Sequence, residues 1–263
     1  MPVPGDHDLV LTGGRLAVPD AVLDDGWLAV TGDRIAGVGT GEPPTGHRIA
    51  LDGALVVPGF VDLHCHGGGG GSYAAGPAET ATALATHRAH GTTTTLASLV
   101  SAPPAALADR VAALSDLVAD GELAGIHLEG PFLAGARCGA HDPAALREPD
   151  AATVDTLLAA GRDSIHMVTL APELPGALDA VRRLTDAGVL AAIGHTDASG
   201  DAVGAAVDAG ARVATHLFNG MPALHHREPG PVGVLLDDER VTVELIADLV
   251  HVHPTVLRLA ARH

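Results

Sequence analysis

The chain has 263 residues with 15 basic and 32 acidic side chains, a formal charge of −17 at pH 7 that disfavours nucleic acid and other polyanions as partners. Aromatic residues make up 2%, too few to build base-stacking platforms, while 47% apolar residues, 33 Gly and 18 Pro describe a globular protein with many tight turns. No apolar run reaches the roughly 20 residues that span a bilayer, residues 1–30 lack the pattern of a secretion signal, and Cys65 with Cys138 offers no disulfide framework, so no membrane partner and a cytoplasmic location are expected.

Residues 8–55 alternate short apolar runs with turns, such as Leu9-Val10-Leu11, Leu28-Ala29-Val30 and Ile35 to Val38, and read as small antiparallel strands joined by hairpins. From Leu55 onward the pattern becomes strand, loop and amphipathic helix in repetition. The strands read are 55–63, 93–100, 123–129, 166–171, 190–195, 213–218 and 242–248, with helices at 78–90, 104–119, 151–160, 175–187, 199–209 and 254–262. This is an α/β chain of βαβ units with right-handed crossovers and a parallel sheet. Seven such strands are read where a closed (β/α)8 barrel needs eight. The Gly67 to Gly71 run does not open a helix as a dinucleotide-binding turn would, and is expected to be a flexible loop.

In this architecture functional groups sit at the C-terminal ends of the strands. Strand one ends in His64-Cys65-His66, strand three in His127-Leu128-Glu129, strand five in Gly194-His195-Thr196 and strand six in Thr215-His216-Leu217, while strand seven runs through Asp248 into His251. A carboxylate and several imidazoles converging on one rim suit Zn²⁺ or another divalent transition metal. All basic residues are Arg, so Schiff-base chemistry, a Walker lysine and a carbamylated-lysine metal bridge are excluded. His7, His47, His87, His90, His253 and His263 lie away from those strand ends and are expected to be surface or core residues.

The segment Pro58-Gly59-Phe60-Val61-Asp62-Leu63-His64-Cys65-His66 resembles the opening signature of the amidohydrolase superfamily. Four further segments resemble its N-acetylglucosamine-6-phosphate deacetylase family: 127–133 with Gly139-Ala140-His141, 193–196, 215–222, and His226-Arg227-Glu228-Pro229-Gly230. The resemblance implies a metal-dependent TIM-type barrel over residues 56–263, missing its eighth strand, and the N-terminal part of a small β-sandwich domain over residues 1–55. It further implies hydrolysis of the N-acetyl group of N-acetylglucosamine 6-phosphate, with Glu129, His195 and His216 holding the principal metal and His64 with His66 a second metal or the rim of the first. The ion would be zinc, or iron, cobalt or manganese, one or two per subunit. His141 would polarise the carbonyl or hold the sugar. Asn219, the Gly220 amide and Arg227 would bind phosphate, Arg227 coming from the partner subunit of a homodimer, and His251 would contact the sugar phosphate. The family's proton-handling Asp, at the end of strand eight, is not among the 263 residues, which are therefore expected to be a C-terminally incomplete part of a longer chain. The alternative is a natural truncation that binds metal and sugar phosphate without turnover. Ring-opening relatives that need a carbamylated Lys are closed off, and the phosphate-binding segment argues against the deaminases.

Overall fold

The computed structural model describes residues 6–262, which fall into two compact units, one ending at Phe60 and the other beginning at Val61. In the first, β1 (His7–Val18), β2 (Ala21–Thr31) and β3 (Arg34–Thr40) form an antiparallel meander. β4 (Gly46–Ala50) and β5 (Leu55–Val56) pair with β1 in parallel, giving a five-stranded sheet in the order β3-β2-β1-β4 with β5 also on β1. This corrects the expectation of antiparallel strands throughout. After β3 the chain crosses to the open edge of β1, and a crossover can lay a strand down parallel where a tight hairpin cannot.

In the second unit β6 (Phe60–Cys65) leads into a two-stranded hairpin of β7 (Gly67–Gly68) and β8 (Gly71–Ser72). The expected flexible loop is thus an ordered turn: Gly69 and Gly70, with φ of +60° and +88°, supply the two left-handed positions such a hairpin demands. There follow β9 (Thr92–Val100), β10 (Gly125–Glu129), β11 (Ile165–Leu170), β12 (Leu190–Ile193), β13 (Val213–Ala214) and β14 (Thr242–Val243). Together with β6 they make a seven-stranded sheet in chain order, parallel from β9 through β14. Strands six and seven are far shorter than the expected 213–218 and 242–248. His216 and Phe218 take positive φ, of 30° and 80°, which no ladder accommodates, so β13 stops at Ala214. β14 then has only two partners to pair with, Val213 and Ala214.

The helices are α1 (Pro77–Arg88), α2 (Pro104–Ala119), α3 (Ala151–Gly161), α4 (Ala177–Asp186), α5 (Gly200–Ala209), α6 (Gly230–Asp237) and α7 (Pro254–Ala260). Local chemistry marks their starts: the Asp150 carboxylate accepts from the Thr153 amide at α3, the Ser199 hydroxyl from the Ala202 amide at α5, and proline opens α1, α2 and α7. α6 escapes a periodicity reading because Gly230, Pro231 and Gly233 interrupt it, yet Val232 and Leu235 are buried and hold it in place. Helix faces carrying Leu107, Val111, Val181, Leu184, Val203 and Val207 pack on the outward side chains of the strands, such as Ile126, Leu128, Val168 and Leu170. On the inner face Met167, Ala192 and Val213 form a separate small cluster, as the two-residue alternation of strands requires.

The sheet is curled. Neighbouring strands lie about 4.8 Å apart, so the residues after β13, five places from β6, would stand roughly 24 Å from it in a flat sheet. Instead the His64 and His216 rings stack with centroids 5.6 Å apart. Curling is what brings the strand ends to one point. Among the described residues no helix is long and apolar enough to cross a membrane.

Candidate metal centre

Glu129 ends β10, whose five residues are all buried, so its carboxylate enters a largely dry mouth. Five imidazole Nε2 atoms surround it. Those of His195 and His216 lie 3.0 Å from Oε1 and that of His64 3.5 Å; His66 and His141 approach Oε2 at 2.9 and 3.3 Å. Burial alone would raise the Glu129 pKa, but the bonds from His141, His195, His216 and His64 outweigh it and hold the carboxyl far below the usual carboxylate range.

For four of the rings the partner of Nδ1 fixes what Nε2 can do, while His216 Nδ1 has no partner among the described residues. His195 Nδ1 lies 2.8 Å from the Arg137 carbonyl and His66 Nδ1 3.2 Å from the Ser98 carbonyl; both must donate, so Nε2 is a bare lone pair in the neutral ring and can bond to Glu129 only in the protonated one. His64 Nδ1 donates to Glu244 Oε2 at 3.0 Å, with the same effect. His141 is the opposite case, because its Nδ1 accepts from the Ser101 amide at 3.2 Å. Its Nε2 therefore carries the hydrogen and donates toward Glu129, so the ring is arranged as a hydrogen-bond donor although its distance alone would admit it among metal ligands.

Nitrogen faces nitrogen at two points: His195 and His216 Nε2 are 3.0 Å apart, His64 and His66 Nε2 3.2 Å. Facing lone pairs repel unless a positive charge lies between them. In the metal-free protein a proton supplies it at His64: burial opposes the charged ring, but bonds to Glu129 and Glu244 and their charges push its pKa up to about 9. A divalent cation answers the same need with the borderline nitrogen and oxygen donors present here. The residues thus fit a metal. Glu129 with His195 and His216 makes one set on Oε1, and His64 with His66 offers a second position across the same carboxylate.

Beneath the cluster His127 is fully buried and bridges Ser98 Oγ (2.9 Å) and Thr169 Oγ1 (2.8 Å), with Thr215 Oγ1 2.7 Å further on. Burial, aided by the neighbouring His64 ring, holds its pKa well below the usual imidazole range. It is part of the floor. The loops are tied as firmly: Arg137 pairs with Asp197 at 2.7 Å, and Glu173 takes the Thr196 hydroxyl and the Asp197 amide at 2.6 Å each. His195 itself has φ of +48°, and a Cβ at Gly220 (φ +64°) would sit 3.2 Å from its Nδ1, so a glycine belongs there.

Of the residues singled out in the sequence, Glu129, His195, His216, His64, His66 and His141 meet at one point, and Gly220 packs on His195 with Asn219 beside it, its amide 3.4 Å from the His216 carbonyl. Arg227 lies on an exposed turn closed by a bridge between His225 and Glu228, and no carboxylate pairs with its guanidinium among the described residues. His251 is not brought to the cluster: it lies exposed, its Nδ1 2.6 Å from Asp248, which also accepts two backbone amides of that turn. Sequence reasoning missed Glu244. Reading the seventh strand through to Asp248 placed its end five residues too far along, whereas the strand ends at Val243 and the next side chain is the one that reaches His64.

A curled parallel sheet whose strand ends gather histidines around one carboxylate defines a metal-dependent hydrolase architecture, and the amidohydrolase family model matches residues 55–263. The chain belongs to the amidohydrolase family. It is 36% identical over 255 residues to the N-acetylgalactosamine-6-phosphate deacetylase of Escherichia coli O157:H7, covering 95% of this chain and 67% of that protein. With the N-acetylglucosamine-6-phosphate deacetylase of Bacillus subtilis it shares 31% over 265 residues, 97% and 67% of the two chains. The D267A mutant of N-acetyl-D-glucosamine-6-phosphate deacetylase from Mycobacterium smegmatis, solved in complex with N-acetyl-D-glucosamine-6-phosphate, superposes with a TM-score of 0.94 at 50% identity, covering 98% of this chain and 68% of that one. The chain thus spans about two thirds of the length of these relatives.

Proposed function

We propose that this chain hydrolyses the acetamide of N-acetylglucosamine 6-phosphate, giving glucosamine 6-phosphate and acetate. The observation that carries the reading is the buried, ionised Glu129 ringed by five imidazole Nε2 atoms at the C-terminal rim of the sheet. Glu129, His195 and His216 hold the principal cation, of the zinc class, and His64 with His66 a second position. When bound, the cation supplies a water activated at neutral pH and a Lewis acid for the amide carbonyl. His141, held by Ser101 with its Nε2–H turned inward, donates to the carbonyl oxygen as negative charge develops there. Arg227, free of any carboxylate among the described residues, suits a phosphate, and the Asn219–Gly220 turn lies beside the cluster to meet it. In this reading the exposed Arg227 serves the neighbouring subunit's site in a homodimer. A cytoplasmic location goes with a sugar-phosphate substrate.

The test is acetate release by the zinc-loaded protein from N-acetylglucosamine 6-phosphate, its galactosamine epimer and the unphosphorylated sugar. The epimer is included because the E. coli O157:H7 relative is named for it. The expected result is turnover of the glucosamine ester above the other two, abolished in Glu129→Ala and His195→Ala. Equal turnover in those variants, or no release from the phosphorylated sugars by the wild type, overturns the reading.

A further inference from the structure

Behind the strand that carries His64 and His66 lies a second set of donors. By strand alternation Cys65 projects from the opposite face of β6, toward α1. There its Sγ lies 3.1 Å from Nε2 of His87, in the last turn of α1, and the Asp62 carboxylate completes a group whose ligand atoms all fall within 4.8 Å of one another. The Gly67 carbonyl faces the same point, 3.2 Å from Sγ and 3.0 Å from His87 Nε2.

Two further observations mark this as more than a hydrogen-bonded thiol. Tyr73 is 1% exposed and its hydroxyl turns toward Cys65 and Asp62, so a buried polar group lines the same space. The β7–β8 hairpin is also drawn in close: a Cβ at Gly68 would stand 2.7 Å from His87 Nε2, so the glycine leaves that nitrogen its room. One sulfur, one imidazole nitrogen, one carboxylate oxygen and a carbonyl oxygen are the donors of a closed four-coordinate site for a borderline-soft cation.

We propose that Asp62, Cys65 and His87, with the Gly67 carbonyl, form a second metal site of the zinc class, separate from the Glu129 cluster and structural in role, fastening β6 to α1. On binding, the sulfur–metal bond would replace the S–H bond and that proton would pass to solvent, while the His87 hydrogen that faces the Gly67 carbonyl from Nε2 would give way to one on Nδ1, freeing the Nε2 lone pair of the neutral ring. Among the described residues the Glu129 cluster contains no sulfur, so the two sites are spectroscopically distinct.

Cobalt(II) is the probe, added to the apo 263-residue chain and followed by absorption and by metal equivalents retained after gel filtration. The wild type is expected to show a near-ultraviolet thiolate-to-cobalt charge-transfer band. Cys65→Ser should lose the band and one equivalent of metal, His87→Gln should lose one equivalent, and Cys138→Ser should keep both, which separates this thiol from the only other one. Circular dichroism checks each fold; if Cys65→Ser unfolds, His87→Gln alone decides through its metal count. A wild type without the band, a band that survives Cys65→Ser or falls with Cys138→Ser, or a full complement of cobalt in His87→Gln overturns the site.

Discussion

Replacing Glu244 by alanine removes the carboxylate 3.0 Å from His64 Nδ1 while leaving every ring nitrogen that faces Glu129 in place. The loss of such an orienting partner lowers metal affinity about 10- to 100-fold, or ~1.4–2.7 kcal/mol. A second signature follows from protonation. In the metal-free protein Glu129 and Glu244 together push the His64 pKa up to about 9, so metal entering at His64 must expel a proton at any lower pH. Apparent affinity for that position should therefore rise about tenfold per pH unit up to about pH 9 and level off above it. Glu244→Ala, with one of the two carboxylates gone, should move the break to lower pH while lowering the plateau. Zinc titrations against a competing chelator from pH 6.5 to 10 read both quantities. An unchanged plateau, or a break that stays near pH 9 in the variant, would show that Glu244 neither orients nor charges His64.

The same proton predicts how the metal-free protein responds to alkali. A folded-state pKa raised above the unfolded value of about 6.5 contributes stability that is complete below 6.5 and is lost as pH rises through 9, so the apo protein should weaken over that window in urea denaturation while the zinc-loaded protein does not. His141→Ala should retain the wild-type metal content, since its Nε2 is a donor, but lose about 10²- to 10⁴-fold in acetate release; metal analysis beside the rate assay separates the two. Gly220→Ala, at φ +64° and 3.2 Å from His195 Nδ1, should cost about 1–2 kcal/mol in thermal unfolding and weaken zinc binding, and a neutral outcome would remove the reason given for that glycine.

The parallel sheet was legible because its central strands are continuous apolar runs bounded by turns, and β9, β10 and β11 begin and end close to where the sequence places them. The cluster was legible for the same reason, as His64, Glu129, His195 and His216 stand at or just beyond strand ends. What escaped depends on distant partners. β13 stops where His216 and Phe218 take positive φ and β14 shortens with it, β4 turns parallel because of where the free edge of β1 lies, and α6 is held by burial against its own Gly and Pro content. Glu244 became visible only once the seventh strand had its true end, and the donor character of His141 only once Ser101 was placed beside it.

The central claim is that Glu129 and the surrounding imidazoles are a metal centre. An anomalous difference map from a crystal of the zinc-loaded protein, collected at the zinc edge, tests it most directly. A peak is expected about 2.0–2.2 Å from a Glu129 carboxylate oxygen and from Nε2 of both His195 and His216, absent in Glu129→Ala. A zinc-loaded crystal with no peak at Glu129, or one whose peak there persists in Glu129→Ala, would contradict it.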